Sequence, residues 1–214
     1  MRQLLALVIT AVASAVASTS HSPAIRPLTP AQKHAVVQAG EWHRGCPVTL
    51  SQLRVLTVPY YGFDHRTHVG QLVVNERVAR PLGTVFEKLY RMRFPIRDMH
   101  FWHQYGAHPT GGDITASFEC RDAVPSPCTG GSSTHTWSEH AYGEAVDLDP
   151  RENPYVGCGM TRDKTALSYL KRDWHRRGMV TPAVLQAFES IGWGWGGSWA
   201  GSTKDYMHFS LTGH

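Results

Sequence analysis

Stretches of β-branched, aromatic and regularly spaced apolar residues predict most of the secondary structure of this chain. Residues 53–61 and 70–74 are rich in such residues and are typical of β-strands. Asn75 follows the second stretch as a candidate N-cap, and an approximate 3–4 spacing of apolar residues after it predicts a helix through Leu89. Shorter patterns predict further elements: helices at 30–40 and 181–190, and strands at 116–121, 145–149 and 206–211.

The predicted elements follow one another without the regular strand–helix–strand order of a parallel sheet, which favours an α+β fold. The chain shows no internal repeat or second domain, and its 214 residues are enough for one domain with a sizeable core. Residues 106–135 are rich in Gly, Ser, Thr and Pro, and after the predicted strand at 116–121 they predict a long loop at 124–135. Turn-forming residues predict further loops at 151–160 and 192–199. The last loop carries Trp193, Trp195 and Trp199, which would either join the core or line a substrate groove.

Residues 1–17 have the features of a secretory signal peptide. Arg2 precedes an apolar stretch at 4–12, and small residues fit cleavage motifs at 11–13 and 15–17. The stretch is short and Ala-rich for a membrane span, although a retained N-terminal anchor is the alternative. We therefore expect export, removal of the signal peptide, and no stable membrane insertion afterwards.

The remaining chain divides into a short N-terminal region and one domain. Residues 18–30 contain several Ser and Pro residues and predict a solvated linker. With the short helix that follows, this gives a linker region at 18–40 and a domain at 41–214.

Export also bears on the four cysteines, because it places them in an oxidising compartment. They fit two disulfides and lie at positions Cys46, Cys120, Cys128 and Cys158. The sequence allows three pairings, and it contains no Cys-x-x-Cys motif for a cysteine-based zinc knuckle.

The net charge of the chain restricts the class of binding partner only in part. A net charge of +4 and a pI near 9.0 suit an acidic polymer, without choosing between nucleic acid and an anionic cell wall. No run of Lys and Arg is dense enough to resemble a nucleic-acid-binding arm, so we expect no nucleic-acid partner.

Two histidines and an aspartate predict a zinc site. His140 lies just before Gly143, where the chain can turn sharply into the strand that carries Asp147. On the last predicted strand, His208 can point into a site while its two neighbours fill the core. Two His and one Asp would hold Zn²⁺ and leave a fourth position for water, as in catalytic zinc sites.

Two further residues fit roles in hydrolysis. Asp205 is the natural general base, provided that it lies before the last strand or at a bulge, since strand positions 205 and 208 face opposite ways. Arg121 is the best candidate to polarise a carbonyl, because it ends a predicted strand before the ligand residues. Alternatively, Asp205 only orients a ligand or caps a turn, and Arg121 is a surface cation.

Other polar residues are weaker candidates. Asp149 is a rival metal ligand, but we expect it to anchor the turn at Pro150, since Asp commonly bonds local backbone in turns. His100, His103 and His108 suggest a second metal site, but we expect them to be solvated, because no Cys or acidic cluster joins them.

The pattern Ser138-x-His140-x-x-Gly143-x-Ala145-x-Asp147, followed by Asp205-x-x-His208, resembles the signature of the D-alanyl-D-alanine carboxypeptidase family of zinc peptidases. That family includes vancomycin-resistance D,D-peptidases and L-alanyl-D-glutamate endolysins. Further blocks extend the resemblance over about residues 45–212, and they lie at 118–121, 153–155, 192–197 and 205–209.

This resemblance implies a fold, a site and a substrate. The fold would be α+β, with a central antiparallel sheet flanked by helices, like that of the Hedgehog signalling domain. The site would hold Zn²⁺ on His140, Asp147 and His208, with Asp205 as the base and Arg121 as a carbonyl-polarising or substrate-binding group. Ser138 would support the first ligand by a hydrogen bond. The substrates would be peptidoglycan stem peptides, and we expect a secreted monomer.

Two loops depart from the family pattern. The loop at 122–136 is longer than usual and contains Cys128, and the loop after Tyr155 contains Cys158. We expect these two cysteines to pair with each other, leaving Cys46 with Cys120.

Three functions compete on these grounds. The first is a secreted zinc peptidase acting on peptidoglycan, either a carboxypeptidase or an endopeptidase. The second is a non-catalytic, zinc-containing module that binds the cell wall, against which the intact Asp205 argues, since a structural site needs no base. The third is a His-metal nuclease, against which the absence of a dense basic patch argues.

Overall fold

The computed structural model describes residues 22–101, 112–126, 128, 135–172 and 176–214. The predicted signal peptide at 1–17 and the side chains of His103 and His108 lie outside these residues.

The first part of the chain forms a four-stranded sheet. Its strands are β1 (Ala24–Pro27), β2 (Leu53–Gly62), β3 (Thr67–Asn75) and β4 (Pro95–Ile96). The antiparallel order is β1-β2-β3, and β4 pairs in parallel with the end of β2. β2 and β3 confirm two predicted strands. The predicted solvated linker is wrong at β1, because the backbone of this strand pairs with β2 although its side chains are exposed.

The three predicted helices are confirmed as α1 (Pro30–Gln38), α2 (Glu76–Arg91) and α3 (Pro182–Glu189). Each begins after a side chain that accepts a backbone N–H of the first turn, and these N-caps are Thr29, Asn75 and Thr181. The long helix α2 buries one apolar face, formed by Val78, Leu82, Val85, Phe86 and Leu89. This face packs on the first sheet, as its 3–4 spacing predicts.

The second half of the chain contributes shorter strands. They are β5 (Ala145–Asp147), β6 (Tyr155–Val156), β7 (Gly194–Trp195), β8 (Lys204–Asp205) and β9 (His208–Ser210). β9 lies between β5 and β7 in an antiparallel sheet, and β6 pairs with β8 separately. The fold is therefore α+β, as predicted, but its strands divide among three sheets instead of forming one central sheet. Two predicted loops contain the short strands β6 and β7, and β9 is shorter than the predicted strand.

The predicted strand at 116–121 is wrong. Its backbone N–H groups bond to several different neighbours instead of one partner strand: Ala116 bonds to Asp147, Phe118 to Val73, Glu119 to His140 and Cys120 to Glu41. The segment is extended, but it bridges the two larger sheets, and only isolated pairs such as Ala116 with Asp147 have strand geometry. A strand-like composition could not reveal this, since the partners are set by the tertiary fold.

The main core lies between α2, α3 and both larger sheets. Phe188 of α3 stacks on Phe209 of β9 with ring centroids 3.8 Å apart, and both side chains are fully buried. Trp193 packs beside Phe188 in this core, whereas Trp195 and Trp199 are half-buried. The core therefore fixes β9, which carries His208, against the helical layer.

Two disulfides join distant segments, and their pairing is as predicted: Cys46 with Cys120, and Cys128 with Cys158. In the part of the chain that the structure describes, no helix is both long enough and apolar enough to span a membrane.

Candidate metal centre

Three short elements bring His140, Asp147 and His208 together. His140 lies on a 3-10 helix (Glu139–Tyr142), Asp147 ends β5, and His208 begins β9. The register of β5 and β9 places Asp147 directly opposite His208. Gly143 turns the chain from the 3-10 helix towards β5 with a φ of +68°, and a Cβ there would lie 2.7 Å from the Asn75 nitrogen. Glycine is therefore required at the turn that brings His140 to the sheet.

The three side chains form a nearly regular triangle of potential ligand atoms. His140 Nε2 is 3.2 Å from Asp147 Oδ1 and 3.2 Å from His208 Nδ1, and His208 Nδ1 is 3.3 Å from Asp147 Oδ1. Zinc–ligand bonds of about 2.0–2.2 Å at tetrahedral angles place neighbouring ligand atoms about 3.3–3.6 Å apart. The nitrogen and oxygen donors present therefore fit a divalent cation such as Zn²⁺ in both spacing and chemistry.

Each imidazole is oriented by a hydrogen bond on its other nitrogen. His140 Nδ1 donates to the Ser117 carbonyl at 2.5 Å, which leaves Nε2 directed at Asp147. His208 Nε2 donates to the His214 carbonyl at 3.1 Å, which leaves Nδ1 directed at the same point. The sequence could not reveal these two partners, since they are backbone carbonyls, which every residue has.

Ser138 supports His140 through the backbone. Its hydroxyl accepts the His140 N–H at 3.3 Å and caps the 3-10 helix. The imidazole ring is held by the Ser117 carbonyl instead. Ser138 therefore fixes the backbone of His140, and Ser117 fixes the orientation of its ring.

Attraction between the aspartate and the imidazoles dominates the electrostatics of this triangle. Burial opposes ionisation of Asp147, but His140 and His208 outweigh it and hold the pKa of this carboxyl far below its usual range. Burial likewise opposes charge on His140, yet the Asp147 carboxylate raises the pKa of His140. The Asp147 carboxylate and the two imidazoles thus face one point, where a cation can take the place of bound protons.

Asp205 lies on β8, three residues before His208. It pairs with Tyr155 of β6, so it lies outside the ladder of β9 and avoids the opposite-face constraint of a continuous strand. Its Oδ1 is buried and has no hydrogen-bond partner among the described residues. Burial, together with the negative charge of Asp147, raises the pKa of Asp205 from 3.8 to about 7. Such a carboxyl can exchange a proton near neutral pH.

Arg121 lies near the site but is already paired. Its Nε donates to Glu119 Oε2 at 2.8 Å, and its Nη1 donates to the Asp122 carbonyl at 3.3 Å. Its positive charge lowers the pKa of Asp205. The Arg121 guanidinium is therefore held by Glu119, and it affects the pKa of Asp205 by charge alone, without a direct bond.

A cavity of about 230 Å³ opens beside two of the potential ligands. Its wall combines apolar and polar groups and comprises Glu41, Ile114, Ala116, Ser117, Phe118, Glu119, His140, Asp147 and Pro150. Trp199 lies on another side of the centre, with its ring centroid 5.8 Å from that of His208. Glu41 was not a sequence candidate, because no motif marks it.

The weaker sequence candidates lie elsewhere. Asp149 is buried and its Oδ1 accepts the Arg97 N–H at 2.7 Å, so the predicted anchoring of the Pro150 turn by its side chain is wrong. His100 bonds to Asp98 at 3.0 Å. A second group of potential ligands, His43 with Cys46 and Cys120, is excluded as a thiolate site, since the two sulfurs form a disulfide.

Comparison with known proteins gives one family match. Residues 131–211 match the family model of D-alanyl-D-alanine carboxypeptidase. The match supports the assignment of this segment to that family. The match contains His140, Asp147, Asp205 and His208, and it confirms the resemblance seen in the sequence. It supports a peptidase that acts on cell-wall peptides. No curated protein and no solved structure matches the chain.

Proposed function

We propose that this protein is a secreted zinc peptidase that hydrolyses peptide bonds in peptidoglycan stem peptides. The main support is the triangle of His140, Asp147 and His208, in which three donor atoms 3.2–3.3 Å apart lie inside the family match. When bound there, Zn²⁺ supplies Lewis-acid catalysis and makes water acidic enough to react at neutral pH. The family relation alone does not choose between a carboxypeptidase and an endopeptidase.

The residues around the triangle have separate tasks in this proposal. The Asp205 carboxylate accepts a proton from the attacking water and passes it to the leaving amine. Arg121 contributes positive charge that lowers the pKa of Asp205, which favours its carboxylate form, and stabilises the developing negative charge on the carbonyl oxygen. Ser117, Ser138 and the His214 carbonyl keep the two imidazoles in position.

Zinc content and hydrolysis of defined stem peptides test this proposal together. We expect one Zn²⁺ per wild-type chain and release of a shortened peptide that mass spectrometry identifies. The Asp205→Asn variant should retain zinc and lose about 10²–10⁴-fold in kcat. The His208→Ala variant should lose zinc and activity together. Glu189→Gln, at an exposed carboxyl near the end of α3, is the matched control and should behave as wild type.

Two outcomes would contradict the mechanism. Zinc binding without hydrolysis by the wild type would favour the non-catalytic wall-binding module. Equal kcat of Asp205→Asn and wild type would remove Asp205 from the reaction. The products also show whether the terminal residue or an internal bond is cleaved.

We further propose an extracytoplasmic monomer with a Hedgehog-like arrangement of its elements. The support for the compartment is the pair of disulfides, which persist in oxidising surroundings. Fractionation of producing cells would test the compartment, and light scattering would test the monomer.

A further inference from the structure

Glu41 is a buried carboxyl that faces the cavity beside the metal centre. It follows α1 by three residues, its relative exposure is 8%, and it lines the cavity together with His140 and Asp147. Its Oε2 is buried and finds no hydrogen-bond partner in the described part of the chain. A buried polar atom without a partner is uncommon in folded proteins and calls for an explanation.

The backbone fixes Glu41 in this position. Its N–H donates to the Val36 carbonyl at 3.0 Å, and its carbonyl accepts the Cys120 N–H at 3.0 Å. Cys120 is in turn joined to Cys46 by a disulfide. The carboxyl is therefore held in place at the cavity wall by both neighbouring segments.

Asp113, Asp149 and Glu152 also have one buried oxygen without a hydrogen-bond partner, but the other oxygen of each is bonded to Arg151 or Arg97. Arg77 pairs with Glu144, and Arg97 pairs with both Asp113 and Glu152. Among the described residues, Glu41 has no such salt-bridge partner. A merely structural carboxyl would be expected to have a partner inside the protein, so the missing partner points towards the cavity.

The chemistry of the cavity indicates what that partner is. Burial, reinforced by the negative charge of Glu119, raises the pKa of Glu41 from 4.5 to about 9. A protonated carboxyl has one O–H donor and one carbonyl acceptor. A peptide group has the complementary pair, an N–H donor and a C=O acceptor. The apolar walls formed by Ile114, Phe118 and Pro150 would exclude water around such a contact.

We propose that Glu41 is a substrate-binding residue whose carboxyl group hydrogen-bonds a peptide group of the substrate in the cavity beside His140 and Asp147. The inference rests on the proposed peptidase function and deepens it. It assigns the cavity to uncharged peptide backbone next to the reacting bond, and not to an amino group on a substrate side chain. Glu41 lies outside the family match at 131–211.

Steady-state kinetics of zinc-loaded Glu41 variants test this assignment. Glu41→Gln keeps one donor and one acceptor in nearly the same shape, so its KM should stay within about twofold of wild type. Glu41→Ala removes both groups and should raise KM about 10-fold with a smaller change in kcat. Glu41→Asp withdraws the group from the cavity and should also raise KM. Glu189→Ala, at an exposed helix position, should leave both constants unchanged.

Two additional measurements separate this inference from the function on which it rests. Calorimetric binding of an uncleaved stem peptide to zinc-loaded Asp205→Asn should weaken about 10-fold when Glu41→Ala is added. Peptides that carry a free or an acetylated lysine amine should show the same effect of Glu41→Ala.

The possible results are distinguishable. Hydrolysis by wild type with an unchanged KM in Glu41→Ala would overturn the role of Glu41 and leave the peptidase intact. An effect confined to the free-amine peptide, or a Glu41→Gln variant as impaired as Glu41→Ala, would overturn the neutral hydrogen bond. Absence of both hydrolysis and peptide binding in wild type would overturn the function itself.

Discussion

Because Glu41 is protonated in the folded protein, we predict a pH dependence of the free energy of unfolding that does not involve any substrate. The pKa of Glu41 rises from 4.5 to about 9 on folding, chiefly because burial disfavours the carboxylate. Between these two pH values the folded state holds one proton more than the unfolded state. Stability from this group is therefore complete below pH 4.5 and is lost progressively as the pH rises through about 9.

The magnitude follows from the linkage between protons and folding. One proton difference changes the free energy of unfolding by about 1.4 kcal/mol per pH unit. Between pH 6 and pH 8, Glu41 alone should therefore lower the stability of the wild type by up to about 3 kcal/mol. Glutamine cannot ionise, so Glu41→Gln should lose this part of the pH dependence. A domain with a stability of about 5–15 kcal/mol makes such a difference easy to measure.

Urea unfolding of both proteins at pH 6, 7 and 8 measures the effect. The disulfides should be intact and a chelator present, so that metal binding adds no pH dependence of its own. Asp149, Glu152 and Asp205 also have raised pKa values because of burial, but their contributions are common to both proteins and cancel in the difference. Parallel stability curves for wild type and Glu41→Gln would show that Glu41 is ionised in the folded protein.

Three further predictions concern the metal, the core and a disulfide. Zn²⁺ at 100 times its dissociation constant should stabilise the wild type by about 2.7 kcal/mol, and calorimetric melting of His208→Ala should show no such shift. Phe188→Ala removes a buried ring stacked at 3.8 Å and should destabilise the protein by about 3–5 kcal/mol in urea, with zinc-free samples as the reference. Replacing Cys128 and Cys158 by Ser opens a loop with a sequence separation of 30 and should cost about 3–4 kcal/mol, measured against a protein with both disulfides.

Local patterns were sufficient for the first sheet and its helix. The hairpin of β2 and β3 has long runs of strand-forming residues, and Asn75 ends one element and caps the next. The information for both elements lies within a few residues of each position, so it is readable without tertiary structure. β1 could not be predicted in this way, because its four residues are exposed and only its backbone pairs with β2.

The convergence of His140, Asp147 and His208 was predictable for a different reason. The donors are histidine and aspartate side chains, whose residue types restrict the possible chemistry, and their spacing carries the family resemblance. What orients those donors was not predictable, since the carbonyl of Ser117 comes from the segment that bridges the two larger sheets. The same bridging segment supplies Glu119, which holds Arg121. Both relations depend on where that segment lies in the fold and not on its composition.

Asp205 and Glu41 show the difference between a site residue that the sequence can predict and one that it cannot. Each carboxyl has one buried oxygen that lacks a partner among the described residues, and each has a pKa raised by burial. Asp205 could be found from the sequence because it precedes a ligand by three residues, whereas Glu41 is found only through the cavity that it lines. The potential ligands and the predicted base all lie within 131–211, while most of the cavity wall comes from residue 41 and residues 114–119. Changes in those earlier segments should therefore alter which peptides bind without removing the donors that would hold the metal.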